Sequence, residues 1–331
     1  MKKVASIFLT VFMVALLLVG CGKSDTKAAD ATKGADSGVK KKVAVIVKGT
    51  EHVYWQSVKV GAEAAAKAGG VEMTFTGAPG GESDINGQVN LIENAINQKV
   101  AGIVLAASDA KALVPVTEKA IAAGIPVVII DSGLNTDKYK SFLTTDNVAA
   151  SAAVGESLAK MLDGKGKVAI VNFVPGAQTA IEREKGFRDV MAKYPGITVL
   201  PTQFYSSDKQ KALSLTQDLM TANPDLAAVY ACNEPGTVGV GRALKEKNNK
   251  TIIEVGFDAS DDVIPLIKEG YCKAAVVQMP YNMGFKGVQA IVDILAGKSV
   301  EKKVDTGFTL VTPENMTSPE SEKALYPTGK K

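Results

Sequence analysis

From residue 43 onward, short unbroken apolar runs alternate with segments of helical period, and this alternation restricts the fold more than any other feature. The first run is VAVIV at 43–47. Between 55 and 68, Val58, Ala62, Ala65 and Ala66 recur at helical spacing. A strand at 71–75 follows, then a helix at 84–98 carrying Ile85, Val89, Ile92 and Ile96. Runs at 102–106 and 127–130 flank a helix at 113–123, whose Pro115 falls in the first turn, where a missing N–H is tolerated. Strands apolar throughout are covered on both faces, as in parallel sheets. The expectation is therefore an α/β fold with parallel sheets and right-handed crossovers.

The pattern restarts at residue 149. Helices at 149–162, 180–193, 209–221, 237–247 and 262–268 alternate with strands at 168–173, 198–200, 227–232, 252–257 and 273–278. A helix at 283–296 and a single strand at 304–311 complete the series. Beyond Thr312 the chain reads as a surface tail. No sequence repeat relates the two sets. So many strands exceed one small sheet, which predicts two lobes with a crossing at Asp146-Asn147. Open parallel sheets bind ligands beyond the carboxyl ends of their strands. Two such sheets face to face would place those ends across one hinged cleft.

The N-terminus reads differently. Lys2 and Lys3 precede an apolar run at 4–19, then Gly20 and Cys21. That order is a secretory signal peptide at residues 1–20. Its ending, LVGC, resembles a bacterial lipoprotein signal, which implies a lipid on Cys21 and a mature protein tethered outside the cytoplasmic membrane. Residues 21–41 lack aromatic residues and periodicity, and read as a flexible tether. Without the signal, 36 basic side chains face 35 acidic ones, so no basic surface speaks for nucleic acid. His52 is the one histidine, and no Cys-x-x-Cys occurs, which speaks against a metal site. Cys232 and Cys272 either pair or lie buried as free thiols; spacing does not decide between these.

Polar residues follow the apolar strands with unusual regularity. Lys48, His52, Tyr54 and Trp55 come after the first, Asp131 and Ser132 after the fourth. Asn233, Asp258 and Gln278 close three later ones. Hydroxyl-rich solutes both donate and accept, which suits Asp, Asn and Gln, and aromatic faces cover their C–H surfaces. Each polar residue taken alone is also an ordinary turn or helix-cap group, and Trp55 fits a core as well as a cleft. No G-x-G-x-x-G, phosphate-binding loop or nucleophile elbow is present. Asp131 and Asp258 leave a sugar-processing hydrolase open as an alternative.

Several blocks together carry a family resemblance: YWQSVKVGAEAAAKAGG, INQKVAGIVLAASDAKALVPVTEKAIAAGIPVVIIDS, VYACNEPGTVGVGRAL, EVGFDASDD and VVQMPYNMGFKGVQA. Over about residues 42–311 the chain resembles the extracytoplasmic solute-binding proteins of sugar ABC transporters, of the ribose- and galactose-binding type. The resemblance implies two Rossmann-like lobes joined by three crossings, near Thr145-Asp146, Gln278-Met279 and residues 304–307. The lobes would be 42–145 with 279–305, and 146–278 with 306–331. It implies a monomer that closes over a pentose or hexose and docks on ABC permease subunits, with no catalysis and no cofactor.

The resemblance also assigns roles. Tyr54 and Trp55 match stacking aromatics; Asp131, Asn233, Asp258 and the hinge Gln278 match hydroxyl-binding positions. Lys48 stands where the ribose type has serine, and a similar lysine occurs in relatives that bind autoinducer-2. That molecule, a polyol or a nucleoside are alternative ligands. His52 and Ser132 occupy matching but altered positions. Ser207 aligns near a capping aromatic, and Tyr205 offers a substitute wall. Ile181 aligns with the sugar-clamping arginine, whereas Arg183 aligns with an outward-facing one. On this reading the clamp is lost.

Overall fold

Each wholly apolar run becomes an interior strand whose two faces are covered by different helices. The computed structural model describes residues 40–327 and residue 329; the signal, Cys21 and nearly all of the tether lie outside the described residues. The chain begins with β1 (Lys42–Val47), α1 (Val53–Gly69), β2 (Glu72–Gly77), α2 (Ile85–Asn97), β3 (Gly102–Leu105), α3 (Val114–Ala122), β4 (Val127–Ile130) and β5 (Ser141–Thr144). Along β1, Val43, Val45 and Val47 pack with Val58 and Ala62 of α1. Ala44 and Ile46 pack instead with Ile92 of α2 and Ala120 of α3. The two-residue strand period alone produces this two-sided burial.

The second set runs α4 (Asn147–Met161), β6 (Lys165–Asn172), α5 (Gln178–Met191), β7 (Gly196–Val199), β8 (Gln203–Phe204), α6 (Lys209–Ala222), β9 (Leu226–Ala231) and α7 (Glu234–Glu246). It continues with β10 (Ile253–Phe257), α8 (Val263–Lys268), β11 (Cys272–Gln278) and α9 (Pro280–Leu295). It ends with β12 (Lys303–Asp305), β13 (Phe308–Val311) and α10 (Pro319–Leu325). One sheet has the order β2-β1-β3-β4-β5-β12, the other β7-β6-β9-β10-β11-β13, with short β8 beside β6. All pairings are parallel except β11 with β13. The leading five strands of each sheet therefore share one doubly wound order, although their sequences do not repeat.

The chain passes between the sheets after β5, after β11 and after β12. The second passage is secured by close packing of α9 on α1. A side chain at Gly284 would collide with the Val58 carbonyl, and one at Gly61 with the Tyr281 carbonyl, so the two helix backbones touch.

Two expectations are corrected here. Residues 304–311 are not one strand: the chain turns at Gly307, whose φ of +77° suits glycine, and its halves join different sheets. The segment beyond Thr312 is not a loose tail, because α10 docks with Ala324 and Leu325 buried. Ser318 caps it, accepting from the Ser321 N–H at 3.2 Å. Seven residues are too few to show a helical period.

Cys232 and Cys272 are both free and buried. Among the described residues no helix is long and apolar enough to cross a membrane.

Glu254 of β10 is the unusual core residue. It is 0% exposed, and among the described residues neither carboxylate oxygen has a hydrogen-bond partner. Burial pushes its pKa well above the carboxylate range. A pKa raised by folding means that stability present at acid pH is lost as pH rises through the raised value. Glu254→Met is expected to stabilise the protein by about 1–3 kcal/mol, the cost of an unpartnered buried polar group. Thermal denaturation at pH 5 and 8 checks this, with the larger gain at pH 8; equal loss of stability at both would contradict it.

Candidate functional site

The carboxyl ends of β1 and β4 in one sheet face those of β6, β9, β10 and β11 in the other. Between them lies a narrow space of about 330 Å³ not filled by protein atoms, its open mouth included. Direct bonds across the cleft keep it narrow. Lys48 Nζ donates to Thr179 Oγ1 at 3.2 Å, the Ala110 N–H donates to the Gly176 carbonyl at 2.9 Å, and Ser207 donates to Glu82. A solute the size of a monosaccharide enters only when the lobes part.

Two aspartates end strands in matching places. Asp131 follows β4 and Asp258 follows β10, both in the left-handed region with φ of 59° and 65°. Non-glycine residues persist there only when their surroundings hold them. The Asp131 N–H donates to the Leu143 carbonyl, and the Asp258 N–H to the Val276 carbonyl. These bonds turn each strand end so that its carboxylate enters the cleft.

Around Asp131, Lys48 Nζ lies 2.9 Å from Oδ2 and the Tyr54 hydroxyl donates to Oδ1 at 2.9 Å. The Lys48 ammonium also lies 5.9 Å from the Trp55 ring and 5.6 Å from that of Phe173, rings from opposite lobes. Burial, then the neighbouring Asp131 charge, push the Tyr54 phenol well above its ordinary pKa. Tyr54 is therefore a neutral donor. Trp55 satisfies both sequence readings: it is buried in the first lobe's core, and it lines the cavity with Nε1 donating to Glu82 Oε1 at 2.7 Å.

Around Asp258, Gln278 Nε2 donates to both carboxylate oxygens at 3.0 and 3.1 Å, while Gln278 Oε1 has no partner among the described residues. Burial raises the Asp258 pKa to about 6, opposed by the Arg183 charge and the Gln278 bond. Asn233 also fills two roles. It caps α7, its Oδ1 accepting from the Gly236 N–H at 3.2 Å, and it lines the cavity. His52 holds the N-cap position of α1, with Nδ1 4.0 Å from Glu234 Oε2 across the cleft.

Arg183 requires a correction. It does not face outward: it is 3% exposed and lines the cavity, whereas Ile181 is 48% exposed. Its Nε donates to Asn147 Oδ1 and its Nη1 to the Cys232 carbonyl, both at 2.8 Å. The guanidinium lies 4.1 Å from the Phe257 ring centroid. Desolvation lowers its pKa, but the Asp258 and Asp131 charges outweigh this and raise it. A buried arginine therefore faces the cavity, two residues from the position the resemblance indicated.

Ser132, Tyr205 and Ser207 do not line the cavity. Ser132 is buried, its hydroxyl without a hydrogen-bond partner among the described residues. Tyr205 stands behind Asn233, donating to its Oδ1, and Ser207 Oγ accepts from Asn233 Nδ2 at 2.8 Å. Conversely, Glu82, Phe173, Thr179, Arg183, Glu234 and Pro235 line it without having been selected from sequence. Phe173 directly follows β6, but it is apolar and reads from sequence as the end of the strand at 168–173, so a rule for polar residues passes over it. Glu82 lies five residues beyond β2 and escapes that rule too. Among the described residues no cluster of His, Cys, Asp and Glu is placed to hold a metal ion.

The family model described as a periplasmic binding protein domain matches residues 43–299. A ribose import binding protein of Bacillus subtilis (strain 168) is 30% identical over 314 residues, covering 94% of this chain and 99% of that protein. A D-ribose/D-allose-binding protein of Pseudomonas aeruginosa is 29% identical, covering 96% and 100%. Among solved structures, an ABC transporter solute-binding protein from Agrobacterium vitis with bound D-fucose is 40% identical, with a TM-score of 0.84, covering 86% of this chain and all of that one. A carbohydrate transporter solute-binding protein from Agrobacterium radiobacter in complex with D-arabinose is 35% identical, also at 0.84, covering 87% and 100%.

Proposed function

This chain belongs to the periplasmic binding protein family, and from that premise we propose that its cleft captures one neutral pentose or hexose ring through side chains of both lobes. Proteins of this kind bind their solute without chemical turnover, outside the cytoplasm, and deliver a small monosaccharide to an ABC importer. We extend the reading to anchorage through a lipidated Cys21 and to docking on the importer's permease subunits.

The observation that carries the proposal is Asp131 and Asp258, one from each sheet, facing a single cavity beside Arg183. Carboxylates accept from sugar hydroxyls, and the guanidinium and the Lys48 ammonium donate to them. Tyr54, Trp55, Asn233 and Gln278 complete the contacts, with His52 at the mouth. D-Fucose and D-arabinose, the sugars held by the two solved relatives, are the first ligands to offer.

A thermal-shift panel of D-fucose, D-arabinose, D-tagatose, D-ribose, D-allose, autoinducer-2 and nucleosides tests the proposal. A ligand of native protein at a hundred times its Kd stabilises by about 2.7 kcal/mol. A neutral monosaccharide is expected to give the largest rise in melting temperature. A rise with autoinducer-2 or a nucleoside alone would overturn the monosaccharide reading.

Asp258 gives the binding a pH dependence. Sugar hydroxyls donating to its carboxylate favour the ionised form, so affinity should hold near pH 8 and decline as pH falls through about 6. For folding the sign is opposite. A pKa raised above the unfolded value means that stability is lost as pH rises through about 6. Calorimetric titration of the sugar from pH 5 to 8 checks the binding limb; an affinity flat across that range would remove Asp258 from the contacts.

A further inference from the structure

We infer that Glu82 is a positioning residue that latches the two lobes together and holds Trp55 in place while the cleft is shut. The inference rests on the monosaccharide reading, because the latch closes over the sugar.

Glu82 sits in the loop between β2 and α2, on the first lobe, and is buried to 7% exposure. Its two carboxylate oxygens are divided between the lobes. Oε1 accepts from the Trp55 indole N–H at 2.7 Å, within its own lobe. Oε2 accepts from the Ser207 hydroxyl, in the loop between β8 and α6 of the other lobe. Ser207 in turn accepts from Asn233 Nδ2, and Asn233 Oδ1 accepts from Tyr205. A continuous chain of hydrogen bonds thus runs from the aromatic wall of one lobe to the amide of the other, with Glu82 the member that crosses.

Electrostatics make this crossing dependent on closure. No cation pairs with Glu82 among the described residues, so its stabilisation comes from these two donors. A buried carboxylate needs such partners, and charge-assisted bonds to it are stronger than neutral ones. Parting the lobes removes the Ser207 hydroxyl and returns Oε2 to water. The backbone on the receiving side is shaped for the contact: Ser206 and Ser207 both adopt left-handed conformations, with φ of 58° and 57°. Glu82 bounds both the cavity and a separate opening beside it, lined also by Glu51, Gly81 and Lys209. It therefore acts on retention of the sugar.

A bond made only in the closed form slows dissociation and leaves capture unchanged. Trp55 is the only tryptophan, so stopped-flow emission reports closure directly. The wild type, Glu82→Ala, Glu82→Gln, Ser207→Ala and the Glu82→Ala/Ser207→Ala double variant would each be mixed with D-fucose, D-arabinose and D-ribose.

Glu82→Ala and Ser207→Ala are each expected to raise the dissociation rate about tenfold, with association rates within twofold of wild type. The double variant should fall well short of the product of the two single effects, because both remove the Glu82–Ser207 bond. Glu82→Gln, which keeps an acceptor for the indole, should retain wild-type Trp55 emission while still losing sugar faster. Multiplying effects in the double variant, or dissociation unchanged in Glu82→Ala, would overturn the latch and leave the sugar reading standing. A wild type that captures none of the three sugars would overturn both.

Discussion

Arg183→Met is expected to weaken sugar binding at least a hundredfold, about 2.7 kcal/mol, while leaving the lobes folded. The methionine retains apolar contact with Phe257 but removes the donor that Asn147 and the Cys232 carbonyl hold in place. Arg183 lines the cavity, and on the proposed reading its remaining N–H groups donate to ligand hydroxyls. Removing the charge also releases Asp258 from the influence that restrains its upward shift. The acid limb of the binding profile should therefore move to higher pH. Ile181→Ser serves as the control: on an exposed helix face it should leave affinity unchanged. The opposite outcome, with binding lost in Ile181→Ser and kept in Arg183→Met, would restore the aligned position as the clamp.

Asp131→Ala should be the most damaging single substitution to the fold. Lys48 and Asp131 are both buried, and removing the carboxylate strands an ammonium between two aromatic rings. Breaking a buried pair from one side typically costs about 3–5 kcal/mol. Tyr54 loses its carboxylate acceptor in the same step and keeps the Met283 sulfur at 3.2 Å. The double variant Lys48→Met/Asp131→Ala should recover most of that stability, because no unpaired charge remains, but none of the binding. Denaturant titration of the single and double variants checks the first statement and calorimetry the second. A single variant as stable as wild type would mean that Lys48 reaches water without its partner.

The same pair explains why much of the site was legible in sequence. A polar residue at the end of an apolar strand is placed by the strand itself, so Lys48, Asp131, Asn233, Asp258 and Gln278 could be selected from position alone. They meet around one cavity because both sheets present their carboxyl ends to it.

Arg183 was misplaced because it lies on a helix, where position after a strand says nothing. Helical period was the better guide. Thr179, Ala180, Arg183, Gly186 and Phe187 form the buried face of α5, at spacings of three and four. Ile181 falls on the opposite side despite being the more apolar residue. Glu82 was missed for a different reason: its loop, GAPGGESD, has turn composition, and its role comes from a partner 125 residues away. The break at Gly307 was obscured because alternation continues through it. A strand pattern records which residues are buried, not which sheet buries them.

The most direct test of the central claim is a crystal structure of the protein grown with D-fucose or D-arabinose. The account predicts one sugar ring between the lobes, its hydroxyls bonded to Asp131, Arg183 and Asp258 together. Sugar density outside the interlobe space, or a ring there that touches neither aspartate, would contradict it.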